Sequence, residues 1–341
     1  MGKVRIVNWI VTRKCNLKCS YCRIASSYNQ PKEYPPYDYY LKNEMSLDFI
    51  LESLKRLKLH NPDCFMIFYG GEPTLRDDLS EIIQYCHDNK IFYTVITNNS
   101  EQVQKRIANL FDKVGYLEGL TSSVDPIIFD KETTGDIVKK SLAGLERLYQ
   151  YRDKVKDLVA EITVDKYNIK YLYPLVQELT KRGISSSITF LDIAKSQHYD
   201  FSNVTDESML VSKEEALPIL NVLDDDDEVN IHMKTLLLPK IYQSLPSDLD
   251  CEIEKGVHNL TIDSNGTVRL CLRIRGSKTP SFRLVDYLDE CGKLNSNLKE
   301  NLEEDKKKYC KLCNWTCMCM SKLTNENPNL FNDLTHSERR K

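Results

Sequence analysis

The sequence predicts an α/β fold, a partial (β/α)6 barrel of the TIM type around a parallel sheet. Three observations predict it. Apolar runs and helix-period segments alternate six times between Val4 and Leu223, the order expected of a parallel sheet with right-handed crossovers. Six such units are too few for the closed eight-unit barrel. The chain has 341 residues, 41% hydrophobic and 28% charged, an ordinary globular balance that can bury a sizeable core.

Each element has a local reason. Val4–Val11 is nearly all apolar, as a strand covered on both faces should be. Ser46–Leu59 has helical spacing, with Ser46 as N-cap. Strand-like runs follow at Phe65–Tyr69, Phe92–Thr97, Tyr116–Val124, Leu158–Val164 and Ser186–Ile193. Helix-like runs lie near Asp77–Asn89, Glu101–Phe111, Asp136–Tyr151, Ile169–Lys181 and Lys213–Leu223. Loops after the strand carboxyl ends should carry the chemistry. The alternation stops at Asp224-Asp225-Asp226-Asp227-Glu228, which reads as a solvated acidic connection. An amphipathic stretch, Lys234–Ser244, and a cysteine-bearing segment from Cys251 follow. The expected domains are therefore 1–230, the barrel, and 231–341, a linker helix with a small metal-stabilised α+β unit.

Basic and acidic residues number 47 and 50, a net charge of −3, so no excess points to a nucleic-acid or anionic-membrane partner. No apolar run approaches the roughly 18 residues of a membrane span. The first residues lack a signal-peptide core, and Ile6 stands where a myristoylation motif wants Ser or Thr. A cytoplasmic location is the expectation. The 12 cysteines fit that setting as metal ligands rather than disulfides, because they cluster at the two ends.

Cys15, Cys19 and Cys22 form CxxxCxxC directly after the first strand. Protein iron–sulfur clusters normally take four cysteines; three leave one iron open, the mark of a catalytic site. Three structural thiols or a zinc site is the alternative, but zinc wants a nearby fourth ligand and the next cysteine is Cys64. The second strand ends in Gly70-Gly71-Glu72-Pro73, where glycines admit a close backbone approach and a carboxylate suits a cationic amine.

The triad, with Tyr21 before its third cysteine, and the Gly-Gly-Glu element one strand later resemble the radical S-adenosylmethionine (SAM) superfamily. The resemblance covers residues 4 to about 195 and implies a partial (β/α)6 barrel. It implies a SAM-binding [4Fe-4S] cluster on Cys15, Cys19 and Cys22, and SAM contacts from Tyr21, Gly70, Gly71, Glu72 and Pro73. It extends to Asn98 after strand three, Ser123 and Asp125 after strand four, Asn168 after strand five and Leu191 on strand six. The implied chemistry is reductive cleavage of SAM to a 5′-deoxyadenosyl radical that abstracts hydrogen from a substrate C–H bond. An electron donor such as flavodoxin or ferredoxin is implied with it.

At the other end, Cys251, Gly266 and Cys271 make CX14GX4C, which fits the opening of SPASM and twitch domains, holders of auxiliary [4Fe-4S] clusters. Thr261–Val268 reads as a hairpin with Asn265-Gly266 at its turn. Cys310, Cys313, Cys317 and Cys319 follow as CX2CX3CXC, which departs from the SPASM pattern and leaves six of its seven cysteines. At least one auxiliary cluster is expected, on Cys251, Cys271, Cys310 and Cys313, with Cys317 or Cys319 as replacements; a zinc ribbon is the alternative. Cys64 and Cys86 read as buried, inert thiols, and Cys291 also lacks partner spacing.

Enzymes with such C-terminal domains mostly modify ribosomal peptides, so a peptide is the expected substrate. Oxidation or rearrangement of a small precursor such as an aminocyclitol or sugar is the alternative, and a non-catalytic metal-bound binding protein the third reading. The first strand starts by residue 4, so any leader recognition would need a separate leader-peptide-binding protein or an unspecialised groove. Between triad and first helix, Tyr28, Tyr34, Tyr37, Tyr39 and Tyr40 alternate with Pro31, Pro35 and Pro36: an aromatic wall for substrate, or a stiff loop packed by its own rings. Asp165 and Asp192 are acids at strand ends, read as structural before catalytic.

Overall fold

The computed structural model describes residues 4, 6–17, 19, 22, 24, 37–124, 143–190, 211–231, 259–269, 282–289 and 304. Expectations at Tyr21, Asp125, Leu191, Asp192, 234–244, Cys251, Cys271, Cys291, Cys310, Cys313, Cys317 and Cys319 lie outside them, as do Tyr28 and Tyr34.

Six parallel strands, β1 (Ile6–Thr12), β2 (Phe65–Gly70), β3 (Phe92–Thr97), β4 (Leu117–Ser123), β5 (Val155–Val164) and β6 (Ser185–Phe190), pair in chain order. Helices α1 (Tyr37–Lys42), α2 (Leu47–His60), α3 (Leu79–Asp88) and α4 (Gln104–Val114) alternate with the first of them. Residues 143–149 form α5, followed by α6 (Leu172–Lys181) and α7 (Lys213–Asp225). This is the expected α/β architecture. Ser46 does cap α2, its hydroxyl accepting from Phe49 N at 3.3 Å, and a Ser212/Glu215 capping box opens α7.

Burial alternates along the strands and tells the two faces apart. Val7, Trp9, Met66, Phe68, Tyr93, Val95, Ala160, Ile162 and Val164 are buried in one core with Ile50, Leu54, Ile82, Ile107, Val176 and Leu179 of the helices. Trp9, Phe68 and Tyr93 run as an aromatic row across it, their ring centroids 6.3 and 6.0 Å apart. The intervening residues, among them Ile67, Thr94, Ile96, Thr121, Ser123, Glu161, Thr163, Ser187 and Thr189, keep partial exposure. They form the concave face that no described helix covers.

β1 is not the edge. β7 (Asn259–Ile262) pairs with it in parallel, and β8 (Thr267–Arg269) and β9 (Phe282–Arg283) extend the sheet antiparallel, giving the order β6-β5-β4-β3-β2-β1-β7-β8-β9. Helix α8 (Leu284–Asp289) follows β9. The hairpin placed by sequence in the C-terminal unit thus continues the barrel's own sheet. Its turn is also longer than Asn-Gly alone: Gly266 N donates to Asp263 O at 2.9 Å and Asp263 N to Thr267 O at 2.8 Å. Gly266, at φ +80°, supplies the left-handed step that closes such a four-residue loop.

Candidate active site

The site is assembled where β1, β2 and β3 end. A register shift between Ile10 and Thr12 kinks the end of β1, a common device beside active sites. The next three residues are fixed from every side. Thr12 Oγ1 donates to Glu44 Oε1 at 2.6 Å, and Arg13 N donates to the same oxygen at 3.2 Å. Tyr37 Oη donates to Arg13 O at 2.7 Å. From the β2 loop, Gly71 N donates to Thr12 O at 2.8 Å and Glu72 N to Lys14 O at 2.7 Å.

That approach explains the glycine pair. A Cβ on Gly70 would stand 2.1 Å from Thr12 O, and one on Gly71 2.1 Å from Lys14 O. The sequence led us to expect this close approach toward the ligand; in the structure it is to the chain's own backbone just ahead of Cys15.

Glu72 is fully buried and gathers four donors. Its Oε1 accepts from Thr74 N, Thr74 Oγ1 and Thr97 Oγ1 at 3.2, 2.7 and 2.9 Å, and its Oε2 from Asn98 N at 2.8 Å. Burial pushes the carboxyl's pKa upward against those donors. Asn98 then reaches the cysteine loop, its Nδ2 donating to Asn16 Oδ1 at 3.0 Å and lying 3.9 Å from Cys15 Sγ. Asn16 Nδ2 in turn donates to Ser100 Oγ at 2.8 Å and Gln102 Oε1 at 2.9 Å. Glu72, Asn98 and Asn16 thereby tie the ends of β2 and β3 to the loop that carries the triad.

On the opposite side, Arg13 is wholly buried and makes a bidentate pair with Asp263, Nε to Oδ1 at 2.9 Å and Nη2 to Oδ2 at 2.6 Å. Tyr40 lies beneath the guanidinium, 3.8 Å from its ring centroid. Burial opposes the charge, yet Asp263 outweighs it and holds Arg13 above its ordinary pKa. Tyr37 and Tyr40, from the tyrosine-rich segment, therefore serve to hold the approach to the triad.

Cys15, Cys19 and Cys22 are all partly exposed, whereas Cys64 and Cys86 are buried. Cys22 N donates to Cys19 O at 3.1 Å, while Leu17 N and Ile24 N lie 3.4 Å from the sulfurs of Cys15 and Cys22. Burial pushes the Cys15 thiol up to about 11, aided by Cys22 and Glu72 and opposed by Leu17 N–H and Asn98. A bound metal would have to displace that proton. Among the described residues no three His, Cys, Asp or Glu side chains converge on a single ion position. A cubane puts each thiolate on a different iron, so three soft donors spread along one accessible loop, with N–H groups directed at the sulfurs, fit it.

The remaining sites divide. Ser123 ends β4 partly exposed on the concave face. Asn168 is buried, its Oδ1 accepting from Asp165 N at 2.9 Å and its Nδ2 donating to Thr163 O at 2.8 Å. Asp165 returns the bond through Oδ1, which accepts from Asn168 N at 2.8 Å and Tyr167 N at 2.9 Å. Burial raises the Asp165 pKa against those N–H donors. This pair builds the turn after β5. Asn16, Arg13, Asp263 and Glu161 were missed by sequence. Only Glu161 gave a signal, as a lone charge inside the apolar run Leu158–Val164.

Comparison with known proteins supplies the rest. The Radical SAM superfamily model matches residues 9–191. An uncharacterized protein of Methanocaldococcus jannaschii is 27% identical over 312 residues, 88% of this chain and 92% of that protein. An S-adenosylmethionine-dependent nucleotide dehydratase of Fibrobacter sp. is 26% identical over 61% of this chain and 64% of its own length. The fold is similar to that of anSMEcpe with bound AdoMet, at TM-score 0.61 and 15% identity over 98% of this chain and 96% of that one. It is also similar to Streptococcus suis SuiB bound to precursor peptide SuiA, at TM-score 0.60 and 14% identity over 92% and 71%.

Proposed function

The chain belongs to the radical SAM superfamily, and on that premise we propose that it modifies a peptide by abstracting hydrogen from one of its C–H bonds. When bound, a [4Fe-4S] cluster held by Cys15, Cys19 and Cys22, with SAM beside it, would supply reductive cleavage of the sulfonium and the hydrogen abstraction. The protein's part is to hold, orient and exclude. Cys15, Cys19 and Cys22 are the cluster's ligands in this reading, on a loop whose approach is clamped by Glu44, Gly71, Glu72 and the Arg13–Asp263 pair. Gly70–Pro73 and Asn98 border the amino-acid end of SAM, and Ser123 its carboxylate and ribose. Tyr21, Asp125 and Leu191 are proposed SAM contacts from the family pattern alone, whereas Asn168 acts by shaping the turn after β5.

The observation that carries the reading is the hydrogen-bonded knot around Glu72 and Asn98, which joins the ends of β2 and β3 to the cysteine loop. The peptide substrate draws support from SuiB, a similar fold bound to its precursor peptide. The match to a nucleotide dehydratase favours a second reading, a small-molecule substrate. We propose at least one auxiliary [4Fe-4S] cluster on Cys251, Cys271, Cys310 and Cys313, with Cys317 or Cys319 as replacements, in the C-terminal segment 231–341, whose hairpin joins the barrel sheet. A flavodoxin or ferredoxin is the proposed electron source, and a cytoplasmic location fits such a donor. Anaerobic reconstitution tests the whole. With dithionite and SAM the enzyme should release 5′-deoxyadenosine, and a candidate precursor peptide should accelerate that release; nucleotide-dependent acceleration would favour the second reading.

A further inference from the structure

Glu161 is a partly exposed acid that the cofactor reading does not use. It lies on β5 with its side chain on the concave face, in register with Ser123 of β4 and Ser187 of β6. Val124 N donates to Glu161 O at 3.1 Å, so the β4 ladder runs past it to the strand's end. Thr189 Oγ1 donates to Glu161 Oε1 at 2.6 Å, and the Ser187 hydroxyl is its other partner. Nearby on the same face, the Thr94 and Thr121 hydroxyls are 3.1 Å apart, and Thr163 faces Thr189 in register. Burial pushes the carboxyl's pKa upward, and among the described residues no Lys, Arg or His is paired with it.

Hydroxyl partners alone leave such a carboxyl holding its proton more tightly, whereas a cation placed beside it favours the ionised form. Among the described residues, the wall from β3 to β6 therefore presents an acid with hydroxyl partners and no cation. Its hydroxyl oxygens can also accept, as an ammonium or guanidinium with several N–H donors would require. A phosphate or carboxylate at the same place would meet like charge. We infer that Glu161, with Ser187 and Thr189, forms a subsite for a protonated amine or guanidinium of the substrate, next to the SAM position marked by Ser123. The inference rests on the peptide reading and deepens it: the target would carry a Lys, an Arg or a free amine close to the reacting carbon.

Calorimetry on the reconstituted full chain with SAM tests this with three probes: N-acetyl-lysine amide, its neutral analogue N-acetyl-norleucine amide, and N-acetyl-glutamate amide. The expected result is that the lysine probe binds about tenfold or more tightly than the norleucine probe, that the glutamate probe binds least, and that Glu161→Gln erases the difference. Equal binding of the first two probes by the unaltered enzyme, or no binding of the lysine probe, would overturn the inference without any variant. Weakened SAM binding in Glu161→Gln with the lysine preference intact would overturn it too, by moving Glu161 into the SAM site. Release of 5′-deoxyadenosine by the unaltered enzyme is followed in parallel. Its absence would sink the radical reading whatever the probes do, whereas its presence without a lysine preference sinks the subsite alone.

Discussion

The strand ends of β1–β3 and those of β4–β6 border the same concave opening but are knit very differently. In the first group nearly every polar group is committed: Glu72 to four donors, Arg13 to Asp263, Asn98 to Asn16 and to Glu72. In the second, Asp165 and Asn168 close the turn after β5, but on the face itself Ser123, Thr163 and Ser187 remain partly exposed, and among the described residues Glu161 has hydroxyl partners only. A reaction step common to a family needs one fixed geometry, whereas a substrate wall has to vary. On the proposed reading, the difference in hydrogen-bond commitment would separate the cofactor side from the substrate side within one sheet.

Breaking the committed half should cost most. Asp263→Ala leaves the Arg13 guanidinium buried without its partner, and loss of about 3–5 kcal/mol is expected in urea unfolding. The same variant should also bind less iron on reconstitution, since Arg13 leads directly into the triad. A loss under about 1 kcal/mol would contradict the clamp. Gly71→Ala comes next. Its methyl has no room against Lys14 O, and forcing the β2 loop away should cost about 2–3 kcal/mol and lower the iron content.

How much of this could be read from sequence follows from how local each signal is. The six β/α units, the Ser46 cap and the triad rest on contiguous residues, so spacing alone revealed them. The Gly70-Gly71-Glu72 element was visible, but the partner of its close approach was not, because Thr12–Lys14 reach it only through strand pairing. Arg13 and Asp263 lie 250 residues apart, and nothing local marks either as the other's partner. The hairpin itself was legible, whereas its pairing with β1 was not: nothing local tells a strand which edge it will join. Glu161 was the one hidden residue with a local sign, a charge inside an apolar strand.

The open half should respond weakly and with the opposite sign. A carboxyl whose pKa is raised by folding holds its proton more tightly in the native state, so stability falls as pH climbs from the ordinary carboxylate range toward the raised value. Glu161→Gln should lessen that decline, Glu72 and Asp165 contributing the rest, and leave the protein no less stable than its parent at neutral pH, as thermal unfolding across pH 4 to about 8 would show. A Glu161→Gln variant that loses stability as steeply as Asp263→Ala would collapse the contrast between the halves. The smallest effect belongs to the helix-side cysteines. Burial pushes the Cys64 thiol up to about 11 and raises Cys86 as well. Replacing either with Ala should cost about 1 kcal/mol and leave the iron count untouched.

The central claim, that the clamped loop carries a catalytic cluster, is tested most directly by metal analysis after anaerobic reconstitution. The intact chain should hold about eight iron and eight sulfide, as two cubanes, and form 5′-deoxyadenosine from SAM on reduction. With Cys15, Cys19 and Cys22 all replaced by Ala, about half the iron should remain and cleavage should vanish. An unchanged iron count, or zinc in place of iron with no cleavage by the intact chain, would contradict it.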